Sequence, residues 1–295
     1  MLRRGKLLEE VAWSLYERLK HCDLCPHQCG VNRVQGERGF CRGGVHPRIA
    51  SAHPHFGEEA LLSGRRGSGT IFFAGCSMRC VYCQNYSISH EDEGEEVNIE
   101  VLAQVMLQLQ REGCHNVNLV TPTHFLPQIC LALLQAEQQG FRLPVVYNTG
   151  GYERVEILQT LRGVVDIYLP DMRYAKDESG QKYSGVHSYP FFNRKAIQEM
   201  FAQVDGVQCN EENVVERGVI VRILLIPPLL EEAKENLRFL AEQVSRDVHI
   251  TLMRQYHPAY RAHEYPELNC FVDRQRYREV LHYGLKLGLK NLILQ

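Results

Sequence analysis

No stretch of the chain is long and apolar enough to suggest a bilayer span. The most apolar run, "VIVRILLIPPLL" (219–230), is short and interrupted by Arg222 and two prolines. Excess charge is missing too: 33 Lys plus Arg stand against 35 Asp plus Glu. That balance leaves no electrostatic footprint for nucleic acid or an anionic membrane. The opening "MLRRGKLLEEVAWSLYERLKHC" has no apolar core of an export signal. Instead Leu8, Val11, Leu15 and Leu19 recur at helical spacing, giving an amphipathic helix and the expectation of a cytoplasmic protein. No internal repeat or low-complexity tract occurs, and no glycine-rich dinucleotide fingerprint follows the first apolar strand. The acidic run "EDEGEEV" (91–97) reads as a solvated loop.

Cysteine, by contrast, is plentiful and unevenly placed. Seven of the eleven cysteines precede residue 84 and fall in two groups. In a large chain without an export signal, such clustering suggests metal ligation or catalysis rather than disulfides. Cys114, Cys130, Cys209 and Cys270 are dispersed and read as inert thiols.

From residue 70 onward, short apolar runs alternate with amphipathic stretches. Strands are expected at 70–74, 117–120, 144–148, 165–171, 218–226 and 249–256, with 291–294 as an edge. Helices are expected near 98–109, 125–139, 152–161, 193–203, 231–245 and 274–287, the first capped by Asn98. Six strand–helix units argue for an α/β fold with a parallel sheet, either open or a partial (β/α)6 barrel. Residues 1–68 divide off as an N-terminal helix plus a Cys-rich segment with little periodicity, and 69–295 as the barrel.

"GCSMRCVYCQN" (75–85) places Cys76, Cys80 and Cys83 just past the first strand, where parallel folds collect ligands. Structural zinc wants four closed ligands. A four-iron cluster held by three cysteines leaves one iron open, which is a catalytic feature. The plainer alternatives are a zinc loop with a distant fourth ligand, or three core thiols. "CDLCPHQCGVNRVQGERGFC" adds Cys22, Cys25, Cys29 and Cys41, enough to close a zinc site or a second iron–sulfur cluster.

The C-x3-C-x2-C pattern, with aromatic Tyr82 before its last cysteine, resembles the signature of the radical S-adenosylmethionine (SAM) enzymes. Further stretches, among them "NLVTPTHFLPQI" (118–129), "VVYNTGGYE" (145–153), "VDIYLPDMRY" (166–174) and "LMRQYHPAYRA" (252–262), are similar to the pyruvate formate-lyase activating enzyme-like proteins of the PflX type. The resemblance implies a partial (β/α)6 TIM-type barrel and a 4Fe-4S cluster on Cys76, Cys80 and Cys83. It further implies reductive cleavage of SAM to a 5′-deoxyadenosyl radical that abstracts hydrogen. A reductant such as flavodoxin or ferredoxin follows, as does metal at the four N-terminal cysteines. Glycyl-radical enzyme activation, with a partner protein as substrate, is the narrower expectation. Modification of a small molecule or another peptide, and non-catalytic electron transfer, are the alternatives.

Around the SAM, the resemblance nominates Tyr82, Thr121 or Thr123, Asn148, Asp171, Arg173 and Arg222 as cofactor-binding positions. His124 offers a ring nitrogen. "TPTH" (121–124) stands where many radical SAM proteins have Gly-Gly-Glu, and a Thr there can equally cap the following helix. Arg222, an isolated charge among aliphatics, is expected to turn inward to the SAM carboxylate or to Asp171. Arg173 replaces the Lys of close relatives, while Ile223 and Pro227–Pro228 replace their His and Pro-Gly, so the substrate side is expected to differ. His53, His55, Glu58 and Glu59 are either substrate-facing or solvated.

Overall fold

The computed structural model describes residues 2–294. In chain order the strands are β1 (Arg48–His55), β2 (Ser68–Phe73), β3 (Glu95–Glu96), β4 (Val117–Val120) and β5 (Val145–Thr149). There follow β6 (Ile167–Pro170), β7 (Gln208–Cys209), β8 (Val215–Leu224), β9 (His249–Met253) and β10 (Asn291–Leu294). The helices are α1 (Leu2–Glu17), α2 (Ala60–Ser63), α3 (Tyr86–Ser89), α4 (Ile99–Arg111) and α5 (Leu126–Gln138). After them come α6 (Val155–Thr160), α7 (Asp177–Ser184), α8 (Tyr189–Val204), α9 (Leu230–Gln243) and α10 (Arg274–Lys286).

The strands form one sheet in the order β10-β9-β8-β6-β5-β4-β2-β1-β3, with β7 off the path against β8. Every pairing from β2 to β10 along that path is parallel. The six expected strand–helix units are therefore present, as a partial barrel whose end strands β3 and β10 do not meet. The structure adds what periodicity did not show. Residues 48–55 pair antiparallel with β2, lengthening the sheet on the N-terminal side. The polar, Tyr-rich stretch after β6 contains α7, and the next helix begins at Tyr189 rather than near 193.

Local chemistry explains the helix faces. The Asn98 side chain accepts from the Val101 N–H and caps α4, which buries Leu102, Met106 and Leu109. Helix α1 packs along α5, and Leu8, Val11, Leu15 and Leu19, the stripe expected from the sequence, are all buried. Inside the barrel, Leu62 of α2 packs with Val146, Ile167, Leu169, Val215 and Ile220, an apolar plug below the strand ends. No helix among the described residues is long and apolar enough to cross a membrane.

Candidate active site

Strand β2 delivers the chain to the three-cysteine loop, and backbone contacts fix the loop's path. Ala74 N–H donates to Arg48 O at 2.9 Å and Gly75 N–H to Ile88 O at 3.0 Å. Gly75 has φ +82°, and a Cβ there would lie 2.5 Å from Cys41 O, so only glycine fits. Further on, Arg79 N–H donates to Ser184 O and Val81 N–H to Tyr183 O, pinning the loop to α7.

Each thiol has a different setting. Cys76 Sγ accepts from Met78 N–H at 3.3 Å, and burial pushes its thiol up to about 12. Cys83 Sγ lies 3.1 Å from Ser89 Oγ. Cys80 Sγ accepts from Arg173 Nη1 at 2.9 Å and from Ser184 Oγ at 3.0 Å. These thiols resist ionising alone: desolvation, then the neighbouring Cys80, raises both Cys76 and Cys83. A cationic iron core relieves that penalty, so the donor set fits a thiolate-bound cluster.

Four of the nominated cofactor-binding residues converge in one network. Arg222 Nε donates to Asp171 Oδ1 at 2.8 Å and Arg222 Nη2 to Asn148 Oδ1 at 2.5 Å. Arg173 closes on Asp171 Oδ2 through Nη2 at 2.6 Å while reaching Cys80 with its other nitrogen. The inward turn of Arg222 toward Asp171 is thus observed. Burial alone would raise Asp171, but Arg222 and then Arg173 outweigh it and hold the carboxyl below its usual range. Glu58, undecided from sequence, joins through Arg222 Nη1 at 3.4 Å and Asn148 Nδ2 at 3.3 Å. Glu59 is buried beside it, and burial raises its pKa.

The other nominated positions border this network or lie beyond it. Tyr82 is buried, with its hydroxyl on that of Tyr174, which in turn bonds Ser184. Thr121 ends β4 at φ +57°, a strained conformation for a β-branched residue, held by its N–H on Asn148 O at 2.8 Å. The Thr123 hydroxyl points to Glu153 Oε1 at 2.6 Å, in a buried cluster with Thr149 and Tyr147. Burial lifts Glu153 to about 7 despite those donors. His124 Nε2 bonds Ala74 O at 2.8 Å, and burial lowers its pKa to about 3, so the ring is a neutral brace for the loop. His53 and His55 flank the Phe72 ring rather than the cysteines.

Sequence reasoning singled out none of Ser184, Tyr174, Ser89 and Glu153, although Tyr174 and Glu153 close the quoted stretches 166–174 and 145–153. Glu153 lies four residues after Thr149 in "NTGGYE".

A partial α/β barrel with a three-thiol loop after its first parallel strand defines a cluster-dependent enzyme class. The family model described as the radical SAM superfamily matches residues 70–240, and the chain belongs to that superfamily. Membership implies a 4Fe-4S cluster, SAM and reductive SAM cleavage. An uncharacterized protein of Methanocaldococcus jannaschii is 31% identical over 290 residues, covering 95% of this chain and 78% of that protein. The pyruvate formate-lyase-activating enzyme of Clostridium pasteurianum is 25% identical over 208 residues, covering 67% of this chain and 78% of that enzyme. The crystal structure of Streptococcus suis SuiB bound to precursor peptide SuiA shares the fold at TM-score 0.51 and 12% identity. That match covers 75% of this chain and 46% of SuiB.

Proposed function

We propose that this chain uses Cys76, Cys80 and Cys83 to hold the 4Fe-4S cluster and abstracts hydrogen from a polypeptide, a glycine of a partner protein being the favoured target. The observation that carries the reading is the loop itself: three thiols just past the carboxyl end of β2, Cys80 buried and Cys76 and Cys83 half-buried, braced by Arg173, Ser184 and Ser89. When bound, the reduced cluster supplies the electron that splits the SAM sulfonium bond and releases the 5′-deoxyadenosyl radical.

The chain's own groups do the rest. Arg173 and Ser184 donate to the Cys80 sulfur and offset negative charge there. Asn148, Asp171 and Arg222 present polar atoms at neighbouring strand ends, suited to the charged and hydroxyl groups of SAM. The Tyr82–Tyr174 pair walls the loop and excludes water. The polypeptide target is favoured by the likeness to the Clostridium activating enzyme, and secondarily by the peptide seen with SuiB. A ferredoxin or flavodoxin is the proposed reductant.

The test is anaerobic incubation of the reduced, reconstituted protein with SAM, reading 5′-deoxyadenosine by mass spectrometry. An intact cluster without SAM cleavage overturns the reading. Candidate partner proteins deuterated at glycine then test the target: deuterium in the 5′-deoxyadenosine supports it. Deuterium arriving only from a small molecule rejects the polypeptide.

A further inference from the structure

We propose that Tyr82, Tyr174 and Ser184 form a one-way relay of hydroxyl groups that ends on the Cys80 sulfur and raises the reduction potential of the cluster held there. The inference rests on the reading that Cys76, Cys80 and Cys83 hold that cluster. It makes the two tyrosines tuning residues that act on the sulfur through Ser184, without touching it.

Only one direction of the protons agrees with the geometry. A cysteine that binds iron carries no proton, so Cys80 Sγ accepts from the Ser184 hydroxyl at 3.0 Å. Serine has a single proton to give. Its oxygen, 2.5 Å from that of Tyr174, is therefore the acceptor of that pair, and Tyr174 is the donor. Tyr174 has then spent its own proton, so its contact with the Tyr82 hydroxyl is made by the Tyr82 proton. Arg173 stands beside Tyr82 and favours the same sense. A cation draws the lone pairs of the Tyr82 oxygen and leaves the proton for Tyr174.

The relay is sealed from water. Tyr82 is 3% exposed, and Tyr174 and Ser184 are 0% exposed. Hydroxyl groups buried this far need partners, and these three have one another. In such surroundings aligned hydrogen bonds polarise one another, by about 10–30% per bond. The last bond, to sulfur, thus carries the pull of all three.

Ser184 is held in place from both ends of α7. At the carboxyl end its carbonyl accepts from Arg79 N–H at 2.8 Å, and that of Tyr183 accepts from Val81 N–H at 2.9 Å. At the amino end Glu232 accepts from the Ala175 and Lys176 amides at 2.8 and 2.9 Å, and from the Ser179 hydroxyl at 2.5 Å. The hydroxyl that meets the sulfur is therefore fixed by backbone on one side and by a buried carboxylate on the other.

The three sulfurs are served unequally. Cys76 receives one amide at 3.3 Å, and Cys83 faces one hydroxyl at 3.1 Å. Cys80 receives both the Arg173 guanidinium and the relay. Hydrogen bonds to a ligand sulfur offset its negative charge and favour the cluster state that holds the added electron. Arg173 and the relay act on the same sulfur in the same sense.

The test is an anaerobic redox titration of the reconstituted full chain, monitored by electron paramagnetic resonance and run without SAM. Ser184→Ala, Tyr174→Phe and Tyr82→Phe are each expected to lower the midpoint potential, with shifts that shrink in that order. Tyr174→Phe is expected to add no further shift to Ser184→Ala, because its effect reaches the cluster only through that serine. Should Ser184→Ala fail to fold or to load, Tyr82→Phe placed on Tyr174→Phe makes the same test, again with no further shift expected. Potentials unmoved by either Tyr→Phe change, or shifts that simply add, overturn the relay alone. A parent chain that loads no cluster overturns the relay together with the reading it rests on. None of these outcomes depends on whether SAM is cleaved.

Discussion

The two cysteine loops solve opposite problems with the same element. The loop after β2 has three thiols, and the barrel provides its support: Arg173, Ser184 and Ser89 all reach its sulfurs from other segments. The N-terminal segment has four thiols in a stretch that contributes few core residues, and its main charge partner, Arg33, comes from within the segment. Chemistry is thus concentrated where the scaffold is rigid, and a full ligand set where the scaffold is thin. Bonds that tie the second region to the first include His27 to Ser77 O, Arg79 to Phe40 O, Arg33 to His124 O and Arg154 to Asp23.

This contrast can be broken most sharply at Cys80. Cys80→Ala is expected to cut 5′-deoxyadenosine formation by at least about 100-fold, while any iron or zinc bound at the N-terminal cysteines stays unchanged in metal analysis. Next is Arg173→Met, which removes one donor to the Cys80 sulfur and leaves Asp171 to Arg222 alone. A loss of about 10- to 100-fold in SAM cleavage is expected, with the reduction potential of that cluster lowered in a redox titration. An unchanged potential would show that Arg173 serves only as a structural partner of Asp171.

Arg33→Met tests the other region. Losing its bonds to Gly44 O and His124 O is expected to cost about 2 kcal/mol of stability, measured by denaturant melts, with the cluster on Cys76, Cys80 and Cys83 still formed. A pH effect belongs to Glu153, whose folded pKa of about 7 lies above the ordinary carboxyl value of about 4.3. Between those values the unfolded chain releases the proton first, so stability is full below the lower one and declines as pH rises through the higher. That decline is on the order of 3 kcal/mol at most, and Glu153→Gln is expected to remove it from melts recorded between pH 4.5 and 8. Asn98→Ala touches neither loop. It calibrates the series with about 1 kcal/mol for a lost helix cap.

Much of this molecule was legible from its residues. The six parallel strands follow from apolar runs, and the inward turn of Arg222 follows from one charge among aliphatics. Strand β1 was hidden because "RIASAHPH" mixes proline and histidine, and only pairing with β2 makes it a strand. Helix α7 was hidden because "DESGQKYS" is polar, although it buries Tyr183 and Ser184. The sulfur donors Ser184 and Ser89 were beyond reach for a related reason. A serine carries no motif, and its role exists only once the fold brings it to a thiol 104 or 6 positions away. Glu58 illustrates the same point, since its partners Asn148 and Arg222 lie 90 and 164 positions along the chain.

The plug of Leu62 against Val146, Ile167 and Ile220 has a consequence for traffic. With the floor of the barrel stoppered by hydrocarbon, reactants and spent fragments share the rim above the cysteines and the unclosed flank. If the target is the polypeptide proposed above, its arrival there would shut the exit behind the smaller cofactor, and SAM would be seated first and its remnants leave last.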